Sequence, residues 1–482
     1  MNSINLSKQE QRRFIGKFTL KSYFFVAKTL LLAIVILNYG ATKVNAVPKA
    51  LRSDIQIRNI LNTLSVSPSV RIAKAPGNNT LYYLKRNGEI YRVDLNSSKS
   101  TPVYNSSNHN LSETQGMAIS PKGTIFLVGN VDLENNQTKG IIVKGVINSV
   151  TGQRIWSTLA ESAGYPKSRT AYDHGFNGVV VSPDGNFIYV NSGSRTDHGE
   201  VQSVNGLYPD TREVGLTACI LRLPTNGRNL FLANNRATLK AAGYIFAEGI
   251  RNTFDMAFAP NGDLFGTENG PDRDMSEELN WLRLGRHYGF PWRIGGTDNP
   301  QQFPNYDPAK DLLLNPKFNA VQRGYFRNDP TFPIRPNVNL IEPIPNLGPD
   351  ADSYRDPVDG KVKDASVLGQ TFSSFTTHRS PLGLVFDTQG VLSQEFNRDG
   401  FMLSWTPGDP TGETLAGPFK DASQDLLHLN LTKVGTSNYQ LNATRIVEGF
   451  SNPIDAAMIN NKIYVLEYGG NQGIWEVTMP TK

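Results

Sequence analysis

GMAISPKGTIF at residues 116–126, GVVVSPDGNFIY at 178–189 and DMAFAPNGDLF at 255–265 are copies of one pattern. Each reads as an apolar strand, a short turn built on Pro, Asp, Asn or Gly, and a second strand, because turn residues interrupt two runs of strand-forming side chains. GLVFDTQGVL at 383–392 and DAAMINNKIYVL at 455–466 repeat it, and VRIAKAPGNNTLYYL at 70–84 is a weaker copy. Six copies over about 400 residues predict an all-β fold, a six-bladed β-propeller with outer strands and loop insertions in the intervals. The alternative is a β-sandwich that reuses Pro-Asp-Gly turns. Only radial repetition would bring the loop ahead of every copy to one axis. Four positions ahead stand Ser112, His174, Arg251, Arg379 and Ser451, with Gln115, Asn177, Asn252, His378 and Asn452 close by. On a propeller these side chains ring one concave polar pocket, the shape small ligands use.

Composition agrees with many short strands. The 482 residues include 43 Gly, 18 Tyr and 24 Phe, and helix-period apolar stripes are scarce. Between Asp298 and Gly369 the pattern lapses into Pro- and Asn-rich sequence such as FPNYDPAKDLL and IEPIPNLGPD. Its aromatic content predicts an ordered insertion packed over the ring rather than a linker. A shorter insertion runs from Gly193 to Gly215. Both are expected to wall the pocket and select the substrate.

The first 46 residues are predicted to be a secretory signal peptide. Basic residues from Lys8 to Lys28 precede the apolar run Thr29–Leu37, and Val44-Asn45-Ala46 offers a small-residue cleavage position. The run is short for a membrane span, so a membrane contact is expected only if the leader is uncleaved. The leader holds seven of the 48 Lys and Arg and one of the 43 acids, which leaves the remainder at a net charge of −1. No basic stripe with interleaved aromatics remains, and nucleic acid is therefore not an expected partner. Cys219 is the single cysteine, so no intramolecular disulfide can form. A secreted or periplasmic location is expected; a homodimer is left open.

GIRNTFDMAFAPNGDLFGTENGPDRDMSEELNWLRLGRHYGFPW, residues 249–292, crowds arginines and carboxylates around one apolar run, as functional loops on a rigid scaffold do. Gly249, Arg251 and Asn252, then AFAPNGDLF (257–265), TENGPD (267–272), EELN (277–280) and YGFP (288–291), follow one another in register. In these motifs the chain resembles the soluble quinoprotein glucose/sorbosone dehydrogenase family, apart from a short extension between Pro271 and Glu277. The resemblance implies a propeller that oxidises sugars with pyrroloquinoline quinone (PQQ) and Ca²⁺.

It also assigns roles. His174, in DHGFNG, matches the family's proton-abstracting histidine, and imidazole titrates close enough to working pH for that task. Neighbouring Asp173 is a candidate to orient it. His198 lies in an insertion, and His109, His287 and His428 have no better claim. Arg251 matches the arginine that stabilises negative charge on the reduced quinone; a structural ion pair with Glu248 or Asp255 is its alternative. Gln115 and Asn252 match cofactor contacts. The carbonyls of Gly270 and Pro271 match Ca²⁺ ligands, in keeping with that ion's preference for oxygen. Glu277, Glu278 and Tyr288 resemble ligands of a second, structural calcium.

One part of the family pattern is missing. Family members clamp the cofactor carboxylates with two arginines before the last inner strand, where this chain reads GFSNPIDAA from Gly449. Arg379 and Lys420 are the candidate replacements. The expected activity is oxidation of an aldose-like sugar to its lactone or acid, with electrons passing to an external acceptor. Two alternatives are a non-catalytic calcium-stabilised propeller that binds a glycan or protein, and a calcium-dependent lactonase.

Overall fold

The computed structural model describes residues 47–77, 80–408 and 419–482. The expected leader and its cleavage position near Ala46 lie outside the described residues. Six sheets, antiparallel apart from one parallel outer pairing in each of the second and third, start from innermost strands Ser69–Lys74, Thr114–Ile119, Phe176–Val181, Thr253–Phe258, Pro381–Phe386 and Pro453–Ile459. Each innermost strand touches the next, and the last touches the first. This closed ring is the six-bladed propeller that the repeat predicts, and a two-layer sandwich would not close in this way. The apolar clusters lie between neighbouring blades: Ala118 with Val179, Ile220 with Met256, Phe265 with Leu384, and Phe401 with Val465.

The sequence copies coincide with innermost hairpins, with one exception. After Phe386 the return strand begins only at Gly400, so Val391-Leu392 is part of a longer connection and not the second strand.

Every innermost strand carries a register shift against its partner at its first turn of contact. A bulge bends a strand and re-aims the extra residue. Here the extra residues are Val70, Gln115, Asn177, Phe254, Leu382 and Ile454, followed by Arg71, Gly116, Gly178, Asp255, Gly383 and Asp455 at equivalent places. The glycines are there because neighbouring backbone leaves no room: a Cβ on Gly116 would lie 2.1 Å from the Asn177 carbonyl oxygen, and one on Gly178 would lie 2.5 Å from that of Phe254. The three charged residues cluster. Arg71 Nη1 lies 3.8 Å from Asp255 and 4.0 Å from Asp455, and each aspartate accepts an N–H from the next blade, Leu384 N at 2.8 Å and Ile72 N at 2.8 Å. Below this cluster a cavity of about 560 Å³ runs along the axis to the opposite end of the hub.

Ring closure uses both ends of the described chain. Gln56–Asn62 pairs antiparallel with Gly473–Thr478 as the outer strand of the last blade, and Lys49–Ala50 pairs with Glu448 and Val447 of the blade before it. The long insertion is ordered, as expected. Its helix Asn319–Gln322 donates Ala320 N to Asp272 at 3.0 Å, and Phe326 stacks on His198 at 3.7 Å between centroids.

Candidate active site

His174 lies in the loop that enters the third blade. Its main-chain N–H donates to the Ser194 carbonyl, and Nδ1 sits 3.1 Å from that same oxygen and 3.2 Å from Ser194 Oγ. Ser194 Oγ donates its own hydrogen to Thr196 O at 2.8 Å. Both neighbours of Nδ1 therefore act as acceptors, so the proton resides on Nδ1 and Nε2 carries the lone pair. Burial, reinforced by the charge on Arg251, lowers the His174 pKa to about 3 and keeps the ring neutral. Asp173 does not orient it: that carboxylate accepts from Ser168 N.

Arg251 is its neighbour. A Cβ built on Gly193 would lie 2.5 Å from His174 Cβ and 3.4 Å from the Arg251 carbonyl oxygen, so only glycine lets the two loops meet. Gly249 takes a positive φ of 69°, and its Cβ would lie 2.3 Å from the His287 ring, which accounts for the glycine two residues before the arginine. Arg251 is 4% exposed. Its Nε donates to Asp197 O at 2.8 Å, Nη2 to Asp197 Oδ1 at 2.9 Å and Nη1 to Asn269 O at 3.0 Å. Three of the five guanidinium N–H groups are engaged, and two are left for a ligand. Asp197 is therefore the partner, not Glu248, which pairs with Lys240 at 2.6 Å, nor Asp255, which lies in the axial cluster.

Asp197 is a residue that the sequence reading missed. It is fully buried and shared: Oδ1 faces Arg251, and Oδ2 faces His198 Nδ1 at 2.8 Å. These partners hold it ionised against the effect of burial, and Glu200 together with Asp197 raises the pKa of His198 against its own burial. Asn252 lies on the same side, where its Oδ1 accepts from Asn177 Nδ2 at 2.9 Å while its Nδ2 finds no partner among the described residues. Gln115 is half-buried in the hub, and its carbonyl accepts from Arg71 Nε at 2.7 Å.

The next loop supplies carbonyl oxygens. Gly270 N donates to Glu277 Oε2 at 2.7 Å, whereas neither the Gly270 nor the Pro271 carbonyl accepts a hydrogen bond from the described residues. Pro271 is buried. Two unpartnered carbonyls beside a guanidinium and next to Asp272 form a donor set that suits a hard cation.

Four expected contributions are not supported by this geometry. Arg379 is 0% exposed, with its guanidinium spent on Asp421, Asp425 at 2.5 Å, the Ala422 carbonyl at 2.8 Å and Ser404 Oγ at 3.2 Å. It ties blade five to itself and presents no donor to a ligand. Glu277 and Glu278 do not share an ion, because successive residues project to opposite sides: Glu277 accepts from Gly270 N, Glu278 from Gly295 N at 2.6 Å and Asn280 Nδ2 at 2.7 Å. Glu278 also faces Glu268 across the strand pair, and burial pushes its pKa up to about 7. The Tyr288 hydroxyl donates to Trp281 O at 2.6 Å and accepts from Arg283 N at 2.8 Å, so it braces a turn. Among the described residues no group of three or more His, Cys, Asp or Glu is placed to hold a metal. Lys420 is exposed, one position before the Asp421 that pairs with Arg379.

The comparisons with known proteins agree with this architecture. A sequence profile of the family described as Glucose / Sorbosone dehydrogenase matches residues 68–317. Quinoprotein glucose dehydrogenase B of Acinetobacter calcoaceticus is 26% identical over 214 residues, 40% of this chain and 42% of that protein, so the chain spans less than half of this curated relative. Among solved structures, a glucose dehydrogenase superposes with a TM-score of 0.54 at 12% identity, covering 88% of this chain and 100% of that one. The apo-form of the soluble aldose sugar dehydrogenase from Escherichia coli gives 0.51 at 15% identity, covering 88% and 99%. The holo form of the pyranose dehydrogenase PQQ domain from Coprinopsis cinerea gives 0.51 at 13%, covering 91% and 99%. At such identities the structural likeness speaks for the shared fold. Among the described residues no helix is long and apolar enough to cross a membrane. With the profile match covering more than half of the sequence and the propeller on the page, the chain belongs to the glucose/sorbosone dehydrogenase family.

Proposed function

We propose that the protein is a PQQ- and Ca²⁺-dependent dehydrogenase that oxidises an aldose-like sugar to its lactone or acid and passes the electrons to an external acceptor. The observation that carries this reading is the pairing of a neutral His174, with its Nε2 lone pair open, and an Arg251 with two unspent N–H donors on the adjoining loop. Oxidation of a hemiacetal removes a hydroxyl proton while a hydride leaves carbon. When bound, PQQ would supply the hydride acceptor. His174 Nε2 takes the hydroxyl proton, held in position by Ser194 through Nδ1. Its low pKa makes it a weak base that works through geometry and becomes stronger as an anion forms beside it. Arg251 directs positive charge at developing negative charge in a site where Asp197 fixes its plane. Asn252 Nδ2 and Gln115 add neutral donors. The Gly270 and Pro271 carbonyls would hold the cation, whose charge would polarise the acceptor.

The non-catalytic binding reading draws support from the missing arginines, and the following experiment decides between the two. The chain is purified, loaded with PQQ and Ca²⁺, and tested for reduction of an artificial dye across a panel of aldoses. Cofactor-dependent turnover that disappears in His174→Ala supports the dehydrogenase; no spectral change on adding PQQ and no turnover on any sugar favours the binder. We also propose that residues 1–46 are removed on export to the periplasm or exterior, leaving one propeller domain from Val47 to Lys482. Amino-terminal sequencing of the secreted chain tests this.

A further inference from the structure

The loops of blades five and six form the sector in which family members carry their arginine clamp. The sector joins the candidate site through one continuous arc. Arg251 Nη1 donates to Asn269 O at 3.0 Å, and Ser380 Oγ donates to Asn269 Oδ1 at 2.8 Å. Trp405 N donates to Ser380 O at 3.1 Å, Asn452 Nδ2 to Trp405 O at 3.1 Å, and Tyr468 N to Asn452 O at 3.0 Å. The far end of the arc therefore carries two aromatic rings, Trp405 and Tyr468, both half-buried, with centroids 5.0 Å apart and planes tilted by 58°. They pack on the apolar cluster that includes Val70, Leu382 and Ile454, the bulge residues of three consecutive blades. The other three bulge residues are Gln115, Asn177 and Phe254. The hub thus has a polar side at Gln115 and Asn177 and an apolar half under the aromatic pair, and Phe254 packs on the same apolar cluster as that pair.

Among the described residues the arginines of this half are already paired, and Lys420 is exposed at its edge. Arg379 is buried against Asp421 and Asp425, and Arg445 shares those same two carboxylates. Arg71 is 2% exposed and is committed to the Gln115 and Phe254 carbonyls. A carboxylate brought into a neutral, apolar sector loses water and gains no partner, whereas a flat ring gains contact area on an aromatic surface.

We propose that the chain holds the end of its cofactor remote from the metal by stacking on Trp405, with Tyr468 against the ring edge, and that it accepts a flat ortho-quinone whose remote carboxylates are masked. This inference rests on the PQQ reading given above. It replaces charge pairing with contact area as the source of affinity at that end.

Equilibrium dialysis against the intact chain with saturating Ca²⁺ tests the proposal without using turnover. The probes are PQQ and PQQ esterified at the two carboxylates that do not flank the pyridine nitrogen. The diester is expected to bind within about threefold of PQQ, and the Kd of PQQ to change by less than about threefold between 50 and 500 mM salt, since few ion pairs form. Trp405→Ala is expected to weaken both ligands by about tenfold or more, the scale of one lost aromatic contact. Trp405→Lys is expected to restore a preference for the free acid. Trp405→Phe, which keeps a ring, and Tyr468→Leu stand in if the alanine variant does not fold. PQQ binding that is steeply salt-dependent, lost in the diester and unchanged in the folded Trp405 and Tyr468 variants would overturn the stacking inference and leave the PQQ reading in place. Failure of the wild type to bind either quinone would overturn both.

Discussion

Replacing Asp455 by Asn should make the protein more stable in alkaline solution. Asp455 stands at the hub beside Asp255, and both carboxylates face the single guanidinium of Arg71. Burial and the neighbouring carboxylate push its pKa from 3.8 up to about 8. A folded-state pKa above the unfolded value means that the native form holds the proton more tightly. Its contribution to stability is complete below about pH 4, falls as pH rises, and is lost once pH passes 8. At 1.36 kcal/mol per unit the shift corresponds to roughly 6 kcal/mol, an upper bound because relaxation of the site offsets part of it. Asn keeps the contact with Ile72 N at 2.8 Å through its carbonyl and gives up acceptance from Ala456 N at 2.9 Å. One lost hydrogen bond is worth about 1 kcal/mol. The expected balance is a gain of about 2 kcal/mol at pH 9 and a loss of about 1 kcal/mol at pH 4. Guanidinium unfolding at pH 4, 6 and 9 measures it. Equal destabilisation at pH 4 and pH 9 would refute the raised proton affinity of Asp455 and leave an ordinary Arg71 ion pair in its place.

Gly193→Ala places a methyl group 2.5 Å from His174 Cβ and should lower kcat/KM by about a hundredfold with the far-UV spectrum unchanged; an active variant would mean that the two loops are not fixed against each other. Since the His174 pKa lies near 3, its titration should leave kcat/KM level between pH 5 and 7. An acid limb near pH 6.5 that is traced to this ring would contradict its burial. Asp197→Asn strands the buried Arg251 charge and should cost about 3 kcal/mol or more in unfolding free energy, with a loss below about 1 kcal/mol counting against the shared-carboxylate geometry.

The repeat was legible because one physical need recurs: an innermost strand must be largely apolar, and in five of the six blades it returns through a short turn. That same frame placed His174 and Arg251 side by side, since each precedes its strand by the same number of residues. It could not tell which way a side chain turns. Arg379 shares the frame position of Arg251, yet two aspartates more than forty positions downstream, at 421 and 425, draw it into the blade. Tyr288 sits in a matching motif but spends its hydroxyl on a local turn. Asp197 left no periodic signal, because it lies in an insertion and earns its role by reach alone. Gly193 marked the start of that insertion, and its Cβ-less close approach was a signal that sequence spacing does not express.

The outer strand Gln56–Asn62 fastens to Gly473–Thr478, the last strand of the chain. A seam of this kind is reversible in principle: residues 47–62, supplied as a separate peptide to a protein that begins beyond them, have a waiting edge to dock on. The toroid is thereby a natural split reporter, in which the closed ring returns only when the missing staple arrives.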